Sequence, residues 1–478
     1  MPEKQWKQFS GNWTVTQQVQ AKGAGTWPAV PGAPTIGTAT GGNGEASVAF
    51  TAPADTGYPT TLTYEVTSSP EGITATGSSS PITVTGLTNG TEYTFTVTAT
   101  NDTGTGPASA ASNAVTPIAV GAAFAWGDNA SGQFGLGTET DYSSPVQVPG
   151  FTNWTSVSAN RAGYVLALNS SNQLYSWGIN GDGQLGLGNT VTRREPVRVG
   201  ALSNWAQVGA GGFHGVAIKT DGTLWAWGRN FYGQLGRNNV QYTSSPVQIT
   251  SSSDWAMVAG TYHQTFAIKT NGALYAWGRD EDGMMAQNTL NVHRSSPTQV
   301  GALTNWATVL SCGGNAAMVA VKTDGTLWSW GSGSQGVQGS GSTIAKSSPV
   351  QVGALTNWKQ AHIGSFSAKA IKTDGTAWGW GSNNRGVIGD NSSVFRSSPV
   401  QIGAQIGWTD VFTPDTSLNA YGVLDGNLYA WGEQTFGAVG NNTTASNTRS
   451  SPVQIGASSD WFKTSGGEKW AIAIGPTS

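Results

Sequence analysis

The amino-acid sequence predicts an all-β protein whose C-terminal three quarters consist of seven copies of one small β-sheet. Three markers predict this: the dipeptide Trp-Gly, a second tryptophan, and the segment Ser-Ser-Pro or a variant of it. Each marker occurs seven times, repeated about every 51 residues in one phase. Only 10% of the residues are charged, against roughly 25% in a typical soluble domain. The 67 glycines and 21 tryptophans favour short strands and tight turns.

The markers occupy equivalent places in every copy. The tryptophans of the Trp-Gly marker are separated by 51, 50, 50, 53, 50 and 51 residues, at Trp126, Trp177, Trp227, Trp277, Trp330, Trp380 and Trp431. The second series is Trp154, Trp205, Trp255, Trp306, Trp358, Trp408 and Trp461. The prolines of the third marker are Pro145, Pro196, Pro246, Pro297, Pro349, Pro399 and Pro452.

One copy, read from Trp205, contains four short strand patterns, at residues 205–210, 216–219, 223–228 and 244–249. Asp221-Gly222 predicts a two-residue hairpin loop, because Asp-Gly tolerates positive φ angles. Four short strands cannot bury their apolar face alone, so the copies are expected to stack around an axis as a seven-bladed β-propeller. The tryptophan of each Trp-Gly is expected between adjacent blades, and its glycine is expected to permit a close backbone approach.

The two ends of the repeat region complement each other. Residues 123–127 have the pattern of a third strand without its second strand, and residues 471–475 supply a second strand without its partner. We expect the C-terminal strand to pair with residues 121–127 and to close the ring, because closure removes both open sheet edges.

The pattern GxxHxxAIKxDGxLWxWGxNxxGQLGxG, followed by SSPVQV, resembles the regulator-of-chromosome-condensation repeat over residues 119–478. The resemblance implies the propeller fold but not one function, since this propeller serves nucleotide exchange, chromatin binding, enzyme inhibition and surface roles. Units four to seven depart from the glycine pattern; residues 283–286 and 336–339, for example, stand in place of Gly-Gln-Leu-Gly. We expect those turns to differ in shape.

Residues 32–117 resemble a fibronectin type III domain, a β-sandwich. Strand patterns occur at 45–53, 61–69, 81–87 and 91–101, and residues 106–117 resemble the last strand of such a domain. Within that resemblance Tyr93 corresponds to the tyrosine whose hydroxyl bonds the backbone upstream, and Phe50 replaces the usual core tryptophan. The domain boundaries are therefore predicted as 1–31, 32–117 and 118–478.

Residues 1–31 are interpreted as an anchoring segment. Their spacing of Trp13, Val15, Lys22, Gly25 and Trp27 resembles short segments of bacteriophage tail and fibre proteins. The alternative is a small β-hairpin or an ordered tail that caps the next domain. Three tryptophans are many for a free tail, and they suggest docking through Trp6, Trp13 and Trp27.

Two sets of residues are candidate ligand- or partner-binding positions. The first is a cation before the Ser-Ser-Pro marker, predicted as a partial ring, although local ion pairing is the alternative: Arg194, Arg294, Lys346, Arg396 and Arg449. The second is the loop before the second strand of each copy, which varies between copies as binding loops do and contains Arg161, Tyr164, Phe213 and Tyr262. His214 and His263 in the same loops are expected to be structural.

Several function classes are disfavoured. The net charge of −3 argues against nucleic-acid binding, and the single Cys312 excludes an intrachain disulfide. The chain has no run of 18 apolar residues and no signal-peptide core at its start, so neither membrane insertion nor general export is expected. Motifs for metal, phosphate or nucleophile sites are missing, so we expect no cofactor, no metal and no enzymatic activity.

These features favour a bacteriophage virion protein, a tail fibre, appendage or capsid decoration made in the host cytoplasm. Residues 1–31 would dock to other virion proteins, and the propeller would serve assembly or attachment to a host-surface glycan or protein. Assembly into a homo-oligomer is compatible with this hypothesis. The alternative is a bacterial extracellular adhesin or protein-inhibiting propeller. A nucleotide-exchange or chromatin factor is disfavoured by the acidic balance, and a glycan hydrolase by the low acidic content.

Overall fold

The computed structural model describes residues 14–24, 27–309, 317–415, 418–444 and 448–476. Contacts divide the chain into two compact units, Met1–Ala119 and Val120–Ser478. Trp6, Trp13 and Cys312 lie outside the described residues, so the predictions made for them have no structural counterpart. Within the described ranges, no helix has the length and apolarity needed to cross a bilayer.

The first element of the N-terminal unit is a helix, α1 (Val15–Gly23). The Thr14 hydroxyl accepts the Gln17 backbone N–H at 3.4 Å, and the Gln17 side-chain oxygen accepts the Thr14 N–H at 3.0 Å. This capping box satisfies donors that a helix start leaves free. The β-hairpin considered for residues 1–31 is therefore wrong for this segment. Val15 and Val19 lie four residues apart on the helix, and both are exposed.

The rest of the unit is a β-sandwich of two antiparallel sheets. Its strands are β1 (Thr35–Gly41), β2 (Glu45–Thr51), β3 (Thr63–Ser69), β4 (Thr74–Gly77), β5 (Ile82–Thr85), β6 (Thr94–Asn101) and β7 (Gly104–Thr105). One sheet has the order β1-β2-β5 and the other β4-β3-β6-β7. Alternate residues of β2, β3 and β6 are buried, which is the period-two pattern that predicted these strands.

Two side chains have the roles in this sandwich that the sequence predicted for them. The Tyr93 hydroxyl accepts the backbone N–H of Thr88 at 3.0 Å and donates to the Glu71 carboxylate at 2.6 Å. Phe50 is buried against Tyr64, with ring centroids 4.7 Å apart.

The last predicted strand, residues 106–117, is not a regular strand. Val115 forms a single bridge with Tyr93. The hydroxyls of Ser109 and Ser112 accept the N–H groups of Val97 and Phe95, each at 3.0 Å. Serine side chains thus add to the backbone bonds along this edge of β6, where a regular ladder is absent from the described residues.

Within the described residues, the second unit contains seven four-stranded antiparallel sheets, numbered here from the one with the first Trp-Gly. Strands follow each other across every sheet in the order A-B-C-D. In sheet order, the A strands are Lys463–Gly466, Trp154–Ala159, Trp205–Ala210, Trp255–Gly260, Trp306–Val309, Trp358–Ile363 and Trp408–Phe412. The B strands are Trp470–Gly475, Tyr164–Asn169, His214–Lys219, Gln264–Lys269, Ala317–Lys322, Ser367–Lys372 and Asn419–Leu424.

The C and D strands complete the sheets. The C strands are Ala122–Gly127, Leu174–Gly178, Leu224–Gly228, Leu274–Gly278, Leu327–Gly331, Ala377–Gly381 and Asn427–Glu433. The D strands are Tyr142–Gln147, Arg193–Arg198, Thr243–Gln248, Arg294–Gln299, Lys346–Gln351, Arg396–Gln401 and Thr448–Gln454. A strands of most neighbouring sheets contact one another, so A is the inner strand and D the outer one.

Sheet 1 combines both ends of this unit. Its A and B strands are C-terminal, whereas its C and D strands begin the unit. The register runs from Trp470 opposite Gly127 to Gly475 opposite Ala122, so the C-terminal strand pairs with Ala122–Gly127.

The tryptophan of each Trp-Gly joins its sheet to the preceding one. Each indole is fully buried, and its N–H donates to a turn carbonyl of the neighbouring sheet at 2.7–3.0 Å: Trp177 to Gln133, Trp227 to Gln184, Trp277 to Gln234, Trp330 to Met284, Trp380 to Val337, Trp431 to Val387 and Trp126 to Ala438. The predicted packing of this tryptophan between neighbouring sheets is confirmed. The last of these bonds joins sheet 1 to sheet 7.

The backbone conformation favours glycine on both sides of this junction. Gly228, which follows Trp227, has φ +99°, and a Cβ there would lie 2.6 Å from the Phe213 carbonyl oxygen. Gly236 ends the turn that receives Trp277; its φ is +70°, and a Cβ would lie 2.7 Å from the indole nitrogen. In sheet 4 the equivalent position is Ala286, with φ +53°. An alanine at positive φ is strained by roughly 1 kcal/mol.

The hairpins between strands B and C differ from the prediction. In sheet 3, Gly222 alone has positive φ, and its N–H bonds the Lys219 carbonyl at 2.9 Å. This is a longer turn that ends in a left-handed glycine. A two-residue loop is found at Asp425-Gly426 in sheet 7, where both residues have positive φ and Leu424 pairs with Asn427.

Replacing Ala286 with glycine should stabilise the propeller by about 0.5–1 kcal/mol, because glycine adopts positive φ without strain. Urea unfolding followed by tryptophan fluorescence measures the change. The matched control is Gly236→Ala, which places a methyl group against Trp277 and should destabilise by about 2 kcal/mol. Equal effects of the two substitutions would contradict this account of the junction.

Candidate functional site

The strand order places the variable loops at one end of every sheet. Because the strands are antiparallel, the A–B and C–D loops leave one end, and the B–C hairpins and D–A connections leave the other. We call the first end the loop face. Both predicted sets of binding candidates lie there.

The predicted cation position is correct in four sheets and shifted by one residue in sheet 2. In five sheets the glycine of the Trp-Gly marker pairs with the first cation of strand D. The pairs are Gly278 with Arg294, Gly331 with Lys346, Gly381 with Arg396, Gly432 with Arg449 and Gly178 with Arg193. The assignment of Arg194 to this series is therefore wrong. Its carbonyl accepts the N–H of Gly137, as the carbonyls of Ser244 and Ser295 accept N–H groups from their neighbouring loops.

These cations do not have one common environment. Arg194 lies beside Glu139, and Arg396 forms an ion pair with Asp390 at 2.8 Å. Arg294 and Lys346 are half-buried at the start of strand D, and Arg449 is exposed. The ring predicted from the sequence is thus partly neutralised by local acidic residues.

The A–B loops contain one candidate that the structure excludes from a binding surface. Tyr164 is fully buried, and its hydroxyl lies 2.8 and 2.6 Å from the carbonyl oxygens of Gly211 and His214. Burial raises the pKa of Tyr164 well above its usual range. This tyrosine connects two sheets and is not available to a partner.

Other A–B loop residues differ in their exposure to solvent. Arg161 is exposed and forms an ion pair with Glu468 at 3.3 Å. Asp415 is buried and accepts the Ser365 hydroxyl at 2.6 Å; burial raises its pKa to about 6. Among the described residues, no group of three His, Cys, Asp or Glu side chains is arranged to hold a metal ion.

Phe213 and Tyr262 belong to a larger group on the loop face of sheets 3 and 4. We call it the aromatic–arginine cluster, and it comprises Phe213, Arg229, Phe231, Tyr232, Tyr262, His263, Arg279 and His293. The rings of Phe213 and Tyr262 have centroids 5.2 Å apart, and Phe231 packs edge-on against Tyr232 at 4.9 Å. Four separate loops contribute to the cluster.

Two arginines lie over rings of the cluster. The Arg229 guanidinium carbon is 5.1 Å from the Phe213 centroid, and that of Arg279 is 5.1 Å from the Tyr232 centroid. Arg279 also forms an ion pair with Glu281 at 2.9 Å. The Arg229 Nε is buried and has no hydrogen-bond partner among the described residues.

The two histidines of these loops have different roles. His214 is fully buried and bonds the Thr265 hydroxyl at 2.9 Å, which confirms a structural role. His263 contacts Tyr232 and Tyr262 within the cluster. Burial, together with Arg279 and Arg229, lowers the pKa of His263 to about 4. It is therefore neutral at pH 7 and adds an uncharged ring to the cluster.

Exposed apolar side chains accompany the cluster around the loop face. They lie on the C–D loops of sheets 2–6: Val191, Phe231, Val240, Tyr242, Leu290, Val292, Ile344, Val394 and Phe395. We call these nine side chains and the neighbouring cations the rim arc. Buried asparagines fix the backbone there, since Asn180 and Asn383 donate to the carbonyls of Val191 and Val394 at 3.1 and 3.2 Å. The side chains at these C–D loop positions are therefore exposed to solvent although they are apolar.

The charges around the loop face are also unevenly distributed. From the residue after Trp-Gly to the third residue of strand D, the part of each segment at the loop face, sheets 2–6 contain nine Lys and Arg residues and six Asp and Glu residues. The same segments of sheets 7 and 1 contain one cation and four anions. The rim arc is thus the more basic and the more apolar part of the loop face.

The core of sheet 6 contains a buried lysine that the sequence analysis missed. Lys369 is fully buried in strand B, where Val216 and Phe266 stand in sheets 3 and 4, and it pairs with Gly379. Its Nζ lies 3.4 Å from the Ser367 hydroxyl. Burial lowers the pKa of Lys369 to about 7.

The fold and these residues define the class: a propeller of regulator-of-chromosome-condensation repeats that follows a fibronectin type III domain. The RCC1-like domain family matches residues 107–365, more than half of the chain, and the chain belongs to this family. The RCC1 repeat matches residues 425–474, and the fibronectin type III domain matches residues 31–115.

Known relatives match only part of this chain. It is 37% identical over 103 residues to the human probable E3 ubiquitin-protein ligase HERC6, covering 20% of this chain and 10% of that protein. It is 39% identical over 85 residues to the ultraviolet-B receptor UVR8 of Arabidopsis thaliana, covering 17% of this chain and 19% of that protein.

Two solved structures share the propeller fold. Human WBSCR16 has a TM-score of 0.65 at 19% identity and covers 75% of this chain and 99% of its own. Prp20p from Saccharomyces cerevisiae, described with binding properties to Gsp1p and histones, has a TM-score of 0.66 at 18% identity and covers 76% and 92%. At these identities the likeness concerns the fold alone.

Replacing Lys369 with methionine should stabilise the protein at pH 7 by a few kcal/mol. In the native protein this amine loses its proton near pH 7, whereas in the unfolded chain it does so near 10.5. The unfolded state therefore binds the extra proton between these values, and the stability of the unsubstituted protein rises from pH 7 toward 10.5. Urea unfolding across this range should show the rise, and Lys369→Met should reduce it. The exposed Lys359→Met should leave the rise intact, and an undiminished rise in Lys369→Met contradicts the assignment.

Proposed function

We propose that this chain is a non-enzymatic binding protein whose loop face contacts a macromolecular partner. In this proposal the seven sheets are the blades of one closed propeller, supported by the strand pairing in sheet 1 and by the indole bond from Trp126 to sheet 7. The observation that carries the proposal is the coincidence of the aromatic–arginine cluster and the rim arc on one face.

The composition of this face supports a contact surface. Exposed apolar groups that occur together mark interaction sites. Aromatic residues and arginine are enriched where proteins bind partners. The rings of the cluster contact one another, so they are held in place before binding, which lowers the entropic cost of association.

The biological setting is proposed from residues 1–31. In a bacteriophage virion they would dock the chain to other virion proteins and leave the propeller available for host attachment or assembly. Many copies on a particle would make weak binding effective. In the alternative setting, a bacterial extracellular adhesin or inhibitory propeller, the same loop face would bind the partner. Propellers of this fold bind protein partners elsewhere, as Prp20p does with Gsp1p and histones.

The double variant Arg229→Ser, Tyr232→Ser should weaken binding to cells or particles of the source by at least about tenfold, because it removes both a cation and a central ring of the cluster. Binding of fluorescently labelled full-length protein measures this. The matched control is Leu303→Ser, Leu355→Ser, two exposed apolar residues at the opposite end of the sheets. Unchanged binding of the cluster variant, with an unfolding midpoint like that of the parent, would sink the proposal.

A truncation pair tests the virion setting. The full chain and a version that begins at Gly32 are each mixed with particles that lack this protein. Incorporation of the full chain alone is expected, since residues 1–31 are the proposed anchor. If neither joins particles while both bind cells equally, the anchor is rejected and the adhesin setting replaces it.

A further inference from the structure

The rim arc repeats one chemical pattern on four of its five sheets. A side chain such as Val191, Val292, Ile344 or Val394 lies exposed two residues before strand D, and strand D then begins with a cation. Sheet 3 places Val240 and Tyr242 in the same segment. Because each loop is bonded to the next sheet in the same way, the apolar tips occupy equivalent heights around the loop face.

We propose that the rim arc docks this protein on an anionic lipid–water interface. The inference rests on the proposed function and names the partner of the same face. Equivalent tips on successive sheets can enter one plane together, and a lipid surface offers such a plane without a matching shape. Interfacial binding adds the contributions of separate apolar side chains and of nearby cations.

The distribution of residues favours lipid over a protein partner. A protein interface concentrates its binding energy in a packed centre. Here most of the exposed apolar residues are aliphatic and spread over five sheets, with the excess of cations in the same segments. Tyrosine, phenylalanine and arginine of the aromatic–arginine cluster suit the headgroup region, where aromatic side chains are enriched.

Charge complementarity identifies the lipid as anionic. Sheets 2–6 contribute nine cations and six anions in the segments of the loop face, whereas sheets 7 and 1 contribute one and four. A negative surface attracts basic segments within a Debye length. The arc should therefore face the membrane, and the loops of sheets 7 and 1 should remain at its edge.

The test is co-sedimentation of the full chain with vesicles of phosphatidylcholine alone or with about 30% phosphatidylglycerol. Binding to the anionic vesicles is expected, with weaker binding at high salt. The variant Val191→Ser, Ile344→Ser, Val394→Ser should reduce the apparent affinity by about tenfold or more.

A matched control is available at the opposite end of the sheets. The rim residues Val191, Ile344 and Val394 are 54%, 67% and 57% exposed, and Leu202, Leu355 and Ile406 are 48%, 47% and 65% exposed. The triple serine variant of the second set should bind vesicles as the parent does. Equal losses in both variants would overturn the inference, as would failure of the parent to bind anionic vesicles.

The outcomes separate this inference from the proposed function. One outcome is that the parent protein fails to bind vesicles while the double variant Arg229→Ser, Tyr232→Ser loses binding to cells or particles. In that case the partner is a protein or glycan, and only the lipid inference fails. If the parent binds neither vesicles nor cells nor particles, both fail. Serine substitutions at exposed positions should leave the unfolding midpoint unchanged, which circular dichroism checks.

Discussion

The buried hydrogen bond between each Trp-Gly indole and the turn of the preceding sheet is the constraint on which the rest of the propeller depends. A four-stranded sheet of short strands has too little core of its own, so its stability comes from its neighbours. The indole fills the space between two sheets, and its N–H satisfies a buried carbonyl of the turn. Trp227 and Gly186 illustrate the fit: a Cβ on that glycine would lie 2.9 Å from the indole nitrogen.

This constraint leaves the loop face free to vary. The junction uses the end of strand C and the turn that follows it, whereas the segments before strands B and D only need to return the chain to the sheet. Residues such as Phe213, Val292 and Ile344 can therefore differ from sheet to sheet without disturbing a junction. The buried asparagines, Asn180 among them, hold the loop backbone through its carbonyl groups, so its side chains remain available.

Much of the fold was predictable because the repeated residues, the Trp-Gly dipeptide and the turn glycines, are those that form the junction between neighbouring sheets. The strands, the tryptophan packing and Tyr93 followed from periodicity and from resemblance. The candidate site was predictable only in part. Arg193-Arg194-Glu195 replaces the Ser-Ser marker, and the strand register alone reveals which arginine is equivalent to Arg294. The aromatic–arginine cluster joins loops about fifty residues apart, and no sequence period records contacts among non-repeated residues.

The net charge of the whole chain does not describe the charge of the loop face, for a physical reason. Residues 32–117 contain six carboxylates and no lysine or arginine, so this segment accounts for more than the whole net charge of −3. The remainder of the chain is positive: residues 1–31 contain three lysines and one glutamate, and within residues 118–478 cations outnumber anions in the loop-face segments of sheets 2–6. Attraction is set by the charges within about 10 Å of a contact, because salt screens those farther away. An acidic chain can therefore present a basic, apolar surface to an anionic partner.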